Sequence, residues 1–87
     1  STIQPTQEQS VATLNGQLMR LGENPRDVTA LIGAGEAALA LGDPQAATGF
    51  FARADEIESG NGRIKAGLGR AMAGQQKPEE ALRLFDQ

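Results

Sequence analysis

The chain has 87 residues, and a domain of that size buries too little surface to enclose a deep catalytic cavity. Eight basic against eleven acidic residues give a net charge of −3, with no basic stripe to displace counterions from phosphates, so nucleic acid is not an expected partner. Cysteine and histidine are both absent, which excludes disulfides, thiol nucleophiles, imidazole bases and the usual zinc ligands.

No apolar run approaches the roughly 20 residues that span a bilayer, so membrane insertion is not expected, and the first residues show no charged start followed by an apolar core. The lack of cysteine fits cytoplasm and periplasm equally. Arginine outnumbering lysine, with abundant alanine and glycine, points to a GC-rich bacterial source. Alanine, leucine and glycine dominate while the only aromatics are Phe50, Phe51 and Phe85, so apolar contacts must come mainly from small side chains pressed together. Close helix packing meets that demand.

Residues 1–6 contain Pro5 and no periodicity, and read as a disordered lead-in. Val11, Leu14, Leu18 and Leu21 recur at helical spacing, predicting a first helix from about Gln7 that stops at Gly22. Asn24-Pro25 reads as a cap followed by proline at the first helical position, opening a second helix to about Leu41. Asp43-Pro44 repeats that signal after Gly42, and a third helix follows through Ala47, Phe50, Phe51, Ala54 and Ile57. The run SGNG at 59–62 breaks the chain before a fourth helix carrying Ile64, Leu68 and Met72, and Pro78 opens a fifth with Ala81, Leu82 and Phe85. No strand-like alternation occurs. The expected class is all-α, with about five helices.

The stretch Gly33 to Ala38 satisfies the loose dinucleotide pattern G-x-G-x-x-G/A, and Asp55 or Glu56 lies about 20 positions on. That reading also needs a strand before Gly33. The preceding residues are helical in pattern, so the glycines read as points of helix contact. The acidic run Asp55–Glu58 reads as a solvated face, because one helix end cannot surround a cation. No residue is assigned to catalysis, to a cofactor or to a metal.

An offset of 34 residues pairs Gly33 with Gly67, Gly35 with Gly69, Ala37 with Ala71, Pro44 with Pro78, Ala47 with Ala81 and Phe51 with Phe85. With its helix–turn–helix punctuation this period resembles the tetratricopeptide repeat. The family pattern falls on Leu31, Ala34-Gly35, Ala38, Ala47, Phe51 and Ala54, and again on Lys65, Leu68-Gly69, Met72, Ala81 and Phe85; Ala34 and Lys65 depart from it. The resemblance implies an α-solenoid, right-handed in its superhelix. Its units would be residues 25–61 and a truncated 62–87, preceded by an extra helix, 7–24, like the second helix of a degenerate upstream unit. Gly35 and Gly69 then fall where the two helices of a unit cross, beside Phe51 and Phe85.

The resemblance also implies a non-catalytic module that binds a peptide or partner helix on its concave face. The residues expected there are Thr29, Ile32, Glu36 and Leu39 from one unit and Arg63, Ala66 and Arg70 from the next, with Ala73 one turn beyond. Arg63 and Arg70 are two helical turns apart and suit a carboxylate. The subfamily that clamps chaperone tails carries a lysine and an asparagine where this chain has Ile32 and Glu36, and Glu36 would repel such a tail. The final helix leaves Leu82, Leu84 and Phe85 without a covering unit, so this edge is expected to self-associate or to continue in a longer protein. The alternative role is a structural assembly element, or an accessory domain of a larger bacterial enzyme or envelope protein.

Overall fold

Each helix begins on a side chain that accepts hydrogen bonds from otherwise unpaired backbone N–H groups. The computed structural model describes residues 3–76, which form four helices and, among the described residues, no strand. Helix α1 (Gln7–Glu23) opens with a capping box: Gln9 N–H donates to Thr6 Oγ1 at 3.1 Å, and Thr6 N–H donates to Gln9 Oε1 at 2.8 Å. Helix α2 (Val28–Ala40) starts on Asp27, α3 (Pro44–Ile57) on Asp43 with Pro44 behind it, and α4 (Gly62–Gly74) on Asn61. The fifth helix expected from Pro78 lies outside the described residues.

Two boundaries differ from the sequence expectation. Helix α1 runs through Gly22 to Glu23, and Asn24 ends it in an extended conformation. The cause is Pro25, which disfavours helical geometry in the residue before it. Asn24 does not cap α2; its Oδ1 accepts from Arg26 N–H at 3.0 Å, forming a local turn, while Asp27 Oδ1 accepts from Ala30 N–H at 3.0 Å. The loop between α1 and α2 is therefore longer than Asn24-Pro25 alone implies. Gly42 does end α2: at φ +77° it lets its own N–H bond to Leu39 O and that of Asp43 to Ala38 O.

Each helix packs on its neighbour in sequence, and α2 also meets α4. Three elements thus surround α2, and Ala30, Leu31, Ile32, Ala34, Gly35, Ala37 and Ala38 are all buried along it. Such a helix is apolar nearly all round. The largest fully buried side chains are Phe51, Leu31 and Ile64, set among Ala47, Ala54 and Ala71. Alanine allows the axes to approach closely, and phenylalanine fills the space that remains.

Phe51 projects from α3 between α2 and α4. A Cβ on Gly35 would lie 2.7 Å from the ring, as expected at this crossing, and a Cβ on Gly67 would lie 2.5 Å from it. The second contact is a finding of the structure, since the offset paired Gly67 with Gly33 without assigning it a neighbour. Among the described residues no atom lies within 4 Å of a Cβ added to Gly69, and its expected neighbour, Phe85, lies outside them. The segment Gly33–Ala38 is mid-helix throughout.

Two predictions follow from these contacts. Gly67→Ala gains helix propensity of up to about 1 kcal/mol but forces Phe51 aside, so chemical denaturation is expected to show a net loss of about 1–3 kcal/mol. Gly49→Ala, in a helical site with open space around it, is expected to stabilise by up to about 1 kcal/mol. Asp27 offers the other test. Its carboxylate is held below the usual value of 3.8, chiefly by the Ala30 N–H and then by Arg20, whose Nη2 lies 3.0 Å away, with burial opposing both. A lowered folded-state pKa adds stability at neutral pH that is lost as pH falls through it. Asp27→Asn keeps a capping oxygen, so its stability measured from neutral pH to below 3.8 should fall less steeply than that of the parent.

Candidate functional site

The surface that α2 and α4 present together is shaped by residue size. Thr29, Glu36 and Leu39 on α2, and Arg63, Ala66 and Arg70 on α4, are all exposed or partly so. Ile32 was expected beside them but is only 5% exposed and belongs to the core. Contact with three helices turns that side of α2 inward, so Ile32 supports the face from beneath.

One ion pair crosses the face. Arg63 Nη2 donates to Glu36 Oε1 at 2.8 Å, with side-chain exposures of 66% and 38%. An exposed pair of this kind contributes about 0–1 kcal/mol, so a competing carboxylate can take over the guanidinium at little cost. Arg70 makes no ion pair among the described residues.

Two hollows flank the pair. The first, of about 350 Å³, lies between α1 and α2 and is floored by Gln17, Gly33 and Ala37, with Thr13, Thr29 and Arg63 at its sides. The second, of about 420 Å³, is lined by Gln4, Pro5, Glu36, Leu39, Ala40 and Arg70. Pro5, Glu36 and Ala40 border both, so the hollows adjoin, a furrow in two parts along α2. Arg63 lines the first hollow and Arg70 the second.

The contribution of α1 was not read from the sequence. Gln17 lines the first hollow beside Gly33, where a Cβ would lie 2.9 Å from its carboxamide, and Gln17 Oε1 is buried without a hydrogen-bond partner among the described residues. The signal was present in the 34-residue offset, which carries Gln17 onto Phe51. Elsewhere, Glu56 and Glu58 are exposed at the end of α3, and among the described residues no three carboxylates gather as a metal site. No described helix is long and apolar enough to cross a membrane. The expected self-association edge, Leu82, Leu84 and Phe85, lies outside the described residues.

The sequence profile of the tetratricopeptide repeat matches residues 38–87, more than half of the chain. The chain belongs to the tetratricopeptide repeat family. No curated protein and no solved structure gives a significant match. Tetratricopeptide repeats are helical scaffolds, generally without catalytic activity, that mediate protein–protein interactions. The match begins near the end of α2 and takes in α3 and α4, so the repeat includes the Phe51–Gly67 contact and the α4 side of the furrow.

Proposed function

We propose that this chain is a non-catalytic interaction module that receives an extended peptide or a partner helix along its concave face. Its units in this reading are residues 25–61 and 62–87, with 7–24 as an added helix. The observation that carries the proposal is the furrow bordered by Glu36, with Arg63 in one hollow and Arg70 with Leu39 in the other. An acidic partner residue would bond to Arg70 and compete with Glu36 for Arg63, while an apolar one rests on Leu39. Thr29 borders the first hollow and Ala66 is exposed on α4, and their small size leaves room for a backbone.

The test is a peptide-display selection against the whole chain, followed by titration of the recovered peptides. Selected peptides are expected to carry Asp or Glu. Arg70→Glu should weaken them about tenfold or more, because a hydrogen bond to a charged group contributes about 1.5–3 kcal/mol. Ala66→Glu, an exposed helical substitution, should weaken the same peptides by repulsion. Peptides whose affinity is unchanged by both substitutions, in variants of unaltered stability, would refute the assigned face.

A further inference from the structure

We propose that Asn61-Gly62 is a site of spontaneous deamidation through a cyclic imide, gated by opening of the first turn of α4, and that its isoaspartate product unseats the start of that helix. The chemistry needs only water. The main-chain nitrogen of Gly62 attacks the Asn61 Cγ, forming an N–Cγ bond; the Cγ–Nδ2 bond breaks, and the amide hydrogen of Gly62 leaves with Nδ2 as ammonia. Water then opens the imide at Cγ to give aspartate, or at the main-chain carbonyl to give isoaspartate, whose backbone runs through Cβ and Cγ.

The sequence contains three asparagines, and the structure separates them. Asn24 precedes Pro25, whose nitrogen has no hydrogen to give up. Asn15 and Asn61 each precede a glycine, which puts no side chain in the path of attack. Asn15-Gly16 lies in the middle of α1, where the Gly16 N–H is held in the i→i−4 ladder with helical turns on both sides. Gly62 is the first residue of α4, and among the described residues its N–H donates no hydrogen bond. It is exposed, and Gly60 on the other side of Asn61 turns the chain at φ +85°.

The closed cap restrains even this pair. At ψ 121° the Gly62 nitrogen points away from the Asn61 side chain, and Asn61 Oδ1 accepts from the N–H groups of Arg63 at 2.9 Å and Ile64 at 3.3 Å. Ring closure therefore requires rotation about the Asn61 Cα–C bond and release of both hydrogen bonds. At a helix end this costs one turn; at Asn15 it costs the middle of α1. Local opening is nearly free at fraying ends and approaches the cost of global unfolding inside packed helices, so Asn61 reacts first.

The product does not fit the place it forms. Residue 61 holds α4 through two bonds to its side chain and a third to its carbonyl, which accepts from Lys65 N–H at 3.0 Å. A backbone lengthened by one methylene cannot keep all three in register. The donor that Glu58 Oε1 meets at 3.1 Å is also lost, and a second negative charge takes its place. Arg63, two residues on, then loses the anchored turn from which it reaches Glu36.

The test is incubation of the whole chain in mildly alkaline water enriched in oxygen-18, folded and in urea, followed by tryptic peptide mapping. Cleavage after Arg20, Arg26, Arg53 and Arg63 puts the asparagines on separate peptides. In the folded chain Asn61 is expected to convert about tenfold or more faster than Asn15, gaining one oxygen-18 and yielding isoaspartate, and the two rates should converge in urea. Gly62→Ala, where among the described residues an added Cβ meets no atom within 4 Å, should keep the fold and slow conversion at Asn61 severalfold. In the isolated isoaspartate form, amide hydrogen exchange should quicken at Arg63, Ile64 and Lys65 and stay unchanged at Gln17. Conversion of Asn15 as fast as Asn61 in the folded chain, or the same ratio of rates folded and in urea, would overturn the gating. An Asn61 that stays intact in the folded chain while it converts in urea would overturn the site, and unchanged exchange in the isoaspartate form would overturn the consequence for α4.

Discussion

The arrangement of helices depends on one aromatic ring held between two glycines. Phe51 is fully buried, and its edges meet α2 at Gly35 and α4 at Gly67, both at separations too short for a Cβ to intervene. A single side chain on α3 thereby sets the distance to two neighbours at once. Glycine within a helix costs about 0.5–1 kcal/mol relative to alanine, and here burial of a phenylalanine against both helices offsets two such costs. The surrounding alanines, Ala34, Ala38, Ala47, Ala54 and Ala71, continue the same close approach along the axes.

The face shared by α2 and α4 is a consequence of that packing. Because α2 is enclosed by α1, α3 and α4, little of it remains outside, and what remains includes the row Thr29, Gly33, Glu36 and Ala40 that borders the furrow. Arg63 reaches that row from α4, and its distance from Glu36 is determined by how closely Phe51 allows α4 to approach. The ion pair itself contributes little to stability. It leaves a guanidinium and a carboxylate side by side on the exposed surface.

Much of this was legible in the sequence, for identifiable reasons. Gly42, Asp43 and Pro44 each act locally, so the junction of α2 and α3 could be read from three adjacent residues. The Gly35–Phe51 contact was readable because both residues lie in one repeat. Asn24-Pro25 misled because asparagine caps and asparagine turns share the same side-chain chemistry; only the competing Asp27, three residues before Ala30, decides between them. Ile32 was placed outside because a stripe can be drawn through it, yet α2 is apolar on nearly every side and periodicity alone cannot choose its exposed face. Gly67 and Gln17 escaped notice since an offset pairs equivalent positions and says nothing of which positions touch.

Proton NMR of the whole chain detects whether Phe51 couples α2 to α4. Nuclear Overhauser contacts are expected from the Phe51 ring protons to the α-protons of both Gly35 and Gly67, with both glycines shifted by the ring current. Contacts to Gly35 alone, with Gly67 at ordinary shifts, would mean that α4 is not seated on this ring, and would contradict the account.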